Sequence, residues 1–172
     1  MVCLLIFFTG CDSIDVPVGR MPPVLTLGER APDFDFYPLM ASEHSSDHKS
    51  EKLAFQIGKV LYLDFWASWC KPCLKSMPLL HQLRSELNDA GFEVIAVNLD
   101  DDPEQAKAFL QEHPVAYPVV RAADESISSL YQLNGLPTSY LIDRQGVLRY
   151  AHQGFKEQDM PIIRQQILAL LN

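Results

Sequence analysis

The stretch Asp64–Cys73, DFWASWCKPC, decides the fold, because it carries an apolar run directly into two cysteines separated by two residues. Val60–Ala67 (VLYLDFWA), which overlaps its beginning, predicts a strand buried on both faces. From Cys70 to about Asn88, apolar residues recur at the spacing of an amphipathic helix. The predicted apolar face of that helix comprises Leu74, Met77, Leu80, Leu83 and Leu87. The cysteine pair is therefore predicted to lie at a strand-to-helix junction.

This location favours redox chemistry at the two cysteines. Cys70 would occupy the first turn of the helix, where unpaired N–H groups and the positive end of the helix dipole stabilise a thiolate. The thiolate is the form that attacks a disulfide, and Lys71 adds a positive charge beside it. Pro72 restricts the backbone between the cysteines, and Cys73, one turn deeper, would resolve the mixed disulfide. The residues therefore predict a nucleophile at Cys70 and a resolving thiol at Cys73.

Three other uses of the pair fit the sequence less well. A structural zinc site needs four ligands, and the only other cysteines, Cys3 and Cys11, lie near the N-terminus. A haem attachment site needs His directly after Cys73, where Leu74 stands. A purely structural disulfide across two residues closes too short a loop to stabilise the fold strongly. A redox role remains the best interpretation, and no metal site is predicted.

Beyond the motif, segments with strand and helix patterns alternate along the chain. The predicted elements are a strand at Phe92–Leu99, a helix from Pro103 through Leu110, a short strand at Tyr117–Val120, a short helix at Ser126–Leu133, a hairpin of Ser139–Asp143 and Val147–Ala151, and a terminal helix at Lys156–Leu171 with Ile163, Ile167, Leu170 and Leu171 toward the core. Such alternation is typical of a layered α/β domain.

Several of these segments resemble the thioredoxin superfamily, specifically its TlpA/ResA-like branch. The resemblance rests on Asp64–Cys73, on Pro78, on Gly135–Thr138 (GLPT) and on the lead-in Gly28–Phe34 (GERAPDF). It implies a thioredoxin-like α/β fold over residues 28–172, in which helices flank a central mixed β-sheet, preceded by an N-terminal extension.

The resemblance also implies roles for individual residues. Pro137 matches the cis-proline that faces the active-site disulfide, and Leu136 would lend its backbone to a substrate chain. Trp69 would shield the disulfide and, with Lys71 and Pro72, contact the substrate.

Asp64 matches the buried acid of thioredoxins. Burial should raise the pKa of its carboxyl, which would take the proton of Cys73. The alternative is an acid linked to solvent with no role. One position departs from the family pattern: ResA-like proteins that act in cytochrome c maturation carry Glu where Ser76 stands. This departure argues against a specific assignment to apocytochrome reduction.

The N-terminal segment has the features of an export signal. Val2–Phe8 (VCLLIFF) is apolar but too short to span a bilayer. Phe8–Cys11 resembles a bacterial lipobox. It departs from that pattern in two ways, because Leu is usual where Phe8 stands and no Lys or Arg precedes the apolar run. We therefore predict a signal peptide at residues 1–10, lipidation of Cys11 and a lipid-anchored tether at residues 11–27. Asp12 resembles the signal for retention in the inner membrane. The alternative is a buried N-terminal strand.

Composition excludes some functions. The chain has 172 residues, enough for one domain with a leader, and 48% of them are hydrophobic. A net charge of −8 argues against nucleic-acid binding, which needs a basic surface. His44 and His48 lie in a serine-rich polar segment that predicts a solvated loop rather than a metal site.

Together these patterns predict an enzyme, a membrane-tethered extracytoplasmic thiol–disulfide oxidoreductase that reduces protein or peptide disulfides. Its redox group would be the dithiol of Cys70 and Cys73, without another cofactor. Because the sequence has no nicotinamide or flavin fingerprint, electrons would come from an upstream membrane thiol donor. The predicted location is the periplasmic side of the bacterial inner membrane, or the outer face of the cytoplasmic membrane. Two alternatives stay open: a disulfide-donating oxidant of the same fold, and a non-catalytic thioredoxin-like binding or chaperone module.

Overall fold

A single mixed β-sheet forms the centre of the structure, a computed structural model that describes residues 25–40 and 50–172. The strands are β1 (Asp35–Pro38), β2 (Glu51–Lys52), β3 (Val60–Trp66), β4 (Phe92–Asn98), β5 (Val119–Ala122), β6 (Thr138–Ile142) and β7 (Leu148–Gln153). The helices are α1 (Lys71–Leu87), α2 (Pro103–Glu112), α3 (Ile127–Leu130) and α4 (Met160–Leu171). The strand order is β2-β1-β5-β4-β3-β6-β7, in which β3 is parallel to β4, β4 is parallel to β5, and the other neighbours are antiparallel. This confirms the predicted mixed sheet and thioredoxin-like α/β fold.

The central strands β3 and β4 are buried along their whole length, as their apolar sequences predict. Helices α1, α2 and α4 cover one face of the sheet, with a core that includes Tyr62, Trp66, Met77, Leu80 and Ile167. Helix α3 and the segment before β1 cover the other face, around Leu63, Phe65, Ile127, Tyr131 and Tyr140. Helices on both faces bury the sheet, and the carboxyl end of β3 leads into α1.

Helix α1 corrects one predicted core residue. Leu74 is 37% exposed, whereas Cys73 is fully buried and occupies the inward position in the first turn. Met77, Leu80, Leu83 and Leu87 are buried as predicted, together with Ser76. Leu74 therefore lies on the rim beside the cysteine pair instead of in the core.

Other element boundaries shift for local reasons. Strand β5 begins after Pro118, whose carbonyl accepts the Ala96 N–H but whose nitrogen has no hydrogen to donate. Helix α3 is shorter than predicted because Gln132 adopts a left-handed φ of 50° and the Leu133 N–H returns to the Ser128 carbonyl. Helix α4 begins only at Met160, after a 3₁₀ turn at Glu157–Asp159.

Strands β1 and β2 were not predicted. They contain four and two residues, too few for alternation of apolar and polar side chains to stand out.

Residues 28–31 lie at the end of the sheet opposite Cys70. The Gly28 N–H donates to the Leu148 carbonyl, and the Ala31 N–H donates to the Gly146 carbonyl, both beside the turn between β6 and β7. Strand β6 begins next to the carboxyl end of β3 and runs away from it, so this turn is remote from the cysteine pair.

Some predictions fall outside the described residues. The signal peptide, most of the tether with Cys11, and both His44 and His48 lie in residues 1–24 and 41–49. The domain boundary at Gly28 stays a prediction. Within the described residues, no helix combines the length and the apolar content needed to cross a bilayer.

Candidate active site at the Cys70–Cys73 pair

The cysteine pair lies where β3 ends and α1 begins. The Cys70 N–H donates to the Ala67 carbonyl at 3.0 Å, which closes the turn between the two elements. Cys70 is the N-cap of α1, and its Sγ accepts a hydrogen bond from the Cys73 N–H at 3.3 Å. The two sulfur atoms form a disulfide bond of 2.06 Å.

The surroundings of Cys70 favour a thiolate in the reduced protein. A helix N-cap faces unpaired N–H groups and the positive end of the helix dipole. The first turn of α1 contains no acidic residue that would oppose this, and Lys71 lies exposed beside it. Cys70 is 4% exposed and Cys73 is fully buried, so only the first sulfur is within reach of an incoming disulfide.

An exposed apolar rim surrounds Cys70. Trp69 is 67% exposed, and Leu74 is exposed in the first turn of α1. Lys71 and Pro72 are also exposed, so three of the four predicted substrate contacts lie on the surface beside Cys70. A single exposed tryptophan next to a reactive sulfur is suited to contact with a partner surface.

Pro137 lies next to the end of β3. The Leu136–Pro137 peptide bond is cis, and β6 begins at the following residue, Thr138, which is paired with Phe65 of β3. The Pro137 carbonyl accepts the Gly154 N–H at 2.8 Å, and the Thr138 hydroxyl donates to the Gly135 carbonyl at 2.6 Å. These bonds hold the segment at the same end of the sheet as the cysteine pair.

Asp64 lies beneath the pair in the middle of β3. It is 1% exposed, between Ala96 of β4 and Ser139 of β6. Its side chain projects from the sheet face on which Cys73 packs, because Tyr62 and Trp66, two residues away on either side, do so as well. Burial raises the pKa of Asp64 from 3.8 to about 8, as predicted. A carboxyl with this pKa exchanges its proton near neutral pH.

Asp100, which the sequence patterns did not indicate, holds the loop before Cys70. Both carboxylate oxygens accept the Ser68 N–H, at 3.1 and 3.0 Å, and Oδ1 also accepts the Ser68 hydroxyl. The Asn98 amide donates to Oδ2 at 2.8 Å. The carboxyl ends of the parallel strands β3 and β4 lie at the same edge of the sheet. A polar residue just after the buried strand β4 could therefore have indicated a contact with the loop that follows β3.

Comparisons with known proteins show which family the chain belongs to. The model of the Redoxin family matches residues 26–167, which is most of the chain. The chain belongs to the Redoxin family. Within the thioredoxin superfamily its relatives are ResA-like: it is 31% identical over 131 residues to the thiol-disulfide oxidoreductase ResA of Oceanobacillus iheyensis, covering 76% of this chain and 67% of the relative. A ResA of Bacillus cereus is 33% identical over 147 residues, which cover 84% of this chain and 81% of the relative.

Solved structures show the same relationship. A protein assigned as thiol:disulfide interchange protein DsbE from Chlorobium tepidum is 39% identical, with a TM-score of 0.77 over 86% of this chain and 99% of that one. This member of the Redoxin family is a thiol–disulfide oxidoreductase.

Ser76 stands where the family resemblance implies Glu. Its side chain is buried, and its hydroxyl donates to the Cys73 carbonyl at 3.2 Å inside α1. The position therefore carries a neutral group satisfied by its own helix. Asp64 is left as the buried carboxyl in the layer of Cys73.

Proposed function

We propose that this oxidoreductase works as a membrane-tethered, extracytoplasmic reductase of protein disulfides. The observation that carries the exchange chemistry of this proposal is the placement of Cys70 at the N-cap of α1, where its sulfur accepts the Cys73 N–H. This placement stabilises the attacking thiolate while Cys73 stays buried one turn away.

The reaction proceeds in two exchanges. The Cys70 thiolate attacks one sulfur of the substrate disulfide, which forms a mixed disulfide and releases the first substrate thiolate. Cys73 then loses its proton and attacks the Cys70 sulfur, which forms the Cys70–Cys73 disulfide and releases the second thiolate. Two electrons pass from the enzyme dithiol to the substrate, and no group beyond this dithiol is needed.

Asp64 takes the proton of Cys73 in the second exchange. Its carboxyl is buried on the sheet face where Cys73 packs, and its pKa of about 8 suits exchange with a thiol near neutral pH. A surface carboxyl, ionised at nearly all physiological pH values, would be a much weaker base.

The substrate chain binds across the rim of the site. Trp69, Lys71 and Pro72 offer exposed contacts on the helix side of Cys70. On the strand side, Leu136 precedes the cis-proline Pro137 and presents its backbone to an extended segment of the substrate.

A tether and a thiol donor complete the proposal. The leader pattern and Cys11 support lipid attachment outside the cytoplasm. Residues 28–31 join the domain at the end of the sheet opposite Cys70, so a tether there leaves the site facing away from the membrane. Because an oxidising compartment lacks a reduced thiol pool, a membrane protein with its own dithiol must supply two electrons per turnover.

The reduction potential of the Cys70/Cys73 couple tests the direction of electron flow. We expect a value near that of thioredoxin, about −270 mV, when the purified protein is equilibrated in thiol redox buffers. A value near that of a strong oxidant, about −120 mV, would reverse the assignment and make the protein a disulfide donor.

A further inference from the structure

Three polar side chains stand opposite one another on the face of the sheet that α1 and α4 cover. Asp64 of β3 is paired with Ser139 of β6, and Ser139 is paired with His152 of β7. Directly opposed residues of antiparallel strands project from the same face. The row therefore leads from the buried acid beneath α1 to the last strand at one side of the described sheet.

Tyr62 lies over this row. Its hydroxyl accepts a hydrogen bond from Ser139 Oγ at 2.7 Å, and its ring stacks on that of His152 with the ring centroids 6.0 Å apart. Burial, together with the nearby Asp64 carboxyl, raises the pKa of Tyr62, so its hydroxyl stays neutral. The middle of the row thus consists of two hydroxyl groups.

Both ends of the row have a buried polar atom without a hydrogen-bond partner among the described residues, Asp64 Oδ2 and His152 Nδ1. His152 Nε2 lies 2.8 Å from Gln166 Oε1, an oxygen that only accepts, so Nε2 carries the ring hydrogen. In the neutral ring Nδ1 is then a free acceptor inside the protein.

Burial keeps the His152 ring neutral at pH 7 and Asp64 mostly protonated. It lowers the pKa of His152, and the hydrogen bond to Gln166 and the Asp159 carboxylate before α4 only partly oppose this shift. Besides Tyr62 and Cys73, the phenol of Tyr117 faces Asp64, and burial raises its pKa, so it adds no charge.

Asp64 and His152 are too far apart to exchange a proton directly. Asp64 and His152 are two strand spacings apart, about 10 Å between their backbones, which is too far for direct contact. The hydrogen-bonded hydroxyls of Ser139 and Tyr62 belong to β6 and β3, and a water bonded to them would complete a path between Asp64 Oδ2 and His152 Nδ1.

Asp64 needs an outlet of this kind. With a pKa of about 8 it is mostly protonated at pH 7, so it accepts the Cys73 proton only when its own proton leaves. During the second exchange the substrate still covers the rim at Trp69 and Leu136, which blocks release on that side.

We propose that Ser139 and His152 are positioning residues that form a proton exit from Asp64 to solvent at β7. This inference rests on the proposed role of Asp64. As the Cys73 proton reaches one carboxyl oxygen, the Asp64 proton would pass along the hydroxyls and a bridging water to His152 Nδ1. The half-buried imidazolium then releases a proton to solvent, so protons balance and no electrons move.

The second exchange can be measured alone on the full chain with Cys3 and Cys11 replaced by Ala, which leaves Cys70 and Cys73 as its cysteines. One equivalent of dithiobis(nitrobenzoate) places thionitrobenzoate on Cys70 of the reduced protein, and Cys73 then displaces it in a first-order absorbance phase. In His152→Ala we expect this phase to slow about 10-fold at pH 7, with the difference shrinking above about pH 9, where Asp64 is already ionised. Ser139→Ala should slow the phase in the same pH-dependent way.

Rescue by added imidazole distinguishes proton transfer from a purely structural role of His152. Imidazole should restore the rate of His152→Ala by filling the space of the lost ring. His113→Ala, at an exposed histidine after α2, serves as the matched control and should match wild type. If the alanine variant folds poorly, His152→Gln can replace it, because glutamine keeps most of the side-chain volume. The absorbance phase of His152→Gln should also be slow.

The proposal is overturned if the two His152 variants react at the wild-type rate at every pH, or react slowly without any response to imidazole or pH. Asp64→Asn in the same assay separates the two ideas. A wild-type rate in Asp64→Asn would refute the role of Asp64 itself, whereas a slow Asp64→Asn with a normal His152→Ala would refute only the exit. Because thionitrobenzoate is the leaving group, the result does not depend on the direction of electron flow in the cell.

Discussion

At the scale of the residue, Asp64 shows how burial changes the chemistry of a common side chain. A carboxyl in water loses its proton far below neutral pH, but desolvation in the middle of β3 disfavours the charged form and raises the pKa to about 8. The same burial makes the folded state less stable whenever Asp64 is ionised. Function and stability therefore oppose each other at this position.

Asp64→Asn should stabilise the protein, increasingly with pH. Between the unfolded pKa of 3.8 and the folded pKa of about 8, the folded state holds a proton that the unfolded state has lost, so the wild-type free energy of unfolding falls as pH rises and levels off above about pH 8. The free energy of unfolding of Asp64→Asn should not fall with pH in this way, because asparagine does not ionise. Urea unfolding should show little difference at pH 4 and a gain of at least about 2 kcal/mol at pH 8.

The matched control for this prediction is Asp89→Asn, at an exposed acid, which should leave the pH dependence of unfolding unchanged. An Asp64→Asn variant with the wild-type pH dependence would show that Asp64 is solvated and is not the proton acceptor.

The two cysteines should behave differently when each is replaced by serine. Cys70→Ser removes the accessible sulfur and should abolish disulfide reduction, while Cys73→Ser should accumulate mixed disulfides because the resolving thiol is gone. Non-reducing electrophoresis of whole-cell extracts reads out both. Mixed disulfides in Cys70→Ser but not in Cys73→Ser would exchange the two assigned roles.

At the scale of the element, the junction between β3 and α1 depends on a residue of β4's carboxyl end. Asp100 accepts the Ser68 N–H and hydroxyl and the Asn98 amide, so it fixes the turn that presents Trp69 and Cys70. The loop is thus held from the neighbouring strand as well as by its own hydrogen bond to Ala67.

Asp100→Asn should destabilise the domain by about 1–3 kcal/mol, because an amide supplies one acceptor where two oxygens were used. Denaturant unfolding measures the loss, and Trp69 fluorescence reports the looser loop. Asp101→Asn, at the exposed neighbouring acid, should stay within about 0.5 kcal/mol of wild type. Equal effects of the two substitutions would remove the positioning role of Asp100.

At the scale of the whole molecule, the cysteine pair and residues 28–31 lie at opposite ends of one sheet. The cysteine pair lies at the carboxyl end of β3, whereas residues 28–31 bind beside the turn between β6 and β7 at the other end. This arrangement suits an enzyme that is anchored at one end and meets its substrates at the other.

Cys11→Ala should move the protein from the membrane fraction to the soluble fraction without changing the reactivity of Cys70, because the proposed anchor is covalent lipid alone. Cys3→Ala is the matched control and should remain with the membrane. Fractionation and immunoblotting measure both. A Cys11→Ala protein that still sediments with the membrane would refute lipid anchoring at this residue.

Local sequence determined the elements with strong patterns. Strands β3 and β4 and helix α1 were predicted within one or two residues, because long apolar runs and helical spacing depend only on neighbours in the chain. The cysteine pair and its junction followed from the same stretch, and its chemistry follows from a helix N-terminus. The end of α3 was not predictable in this way, because it depends on a single dihedral angle at Gln132. Strands β1 and β2 were not predictable either, because they contain only four and two residues.

The tertiary structure alone decided which distant residues serve the site. Asp100 acts on Ser68 because parallel strands end at one edge, and Leu74 is exposed because Cys73 takes the inward position on α1. Asp64, Ser139 and His152 form one row only because strand register places them opposite each other. Register is a property of paired strands, so residues far apart in sequence acquire a shared environment, and a shifted pKa, only when the sheet has formed.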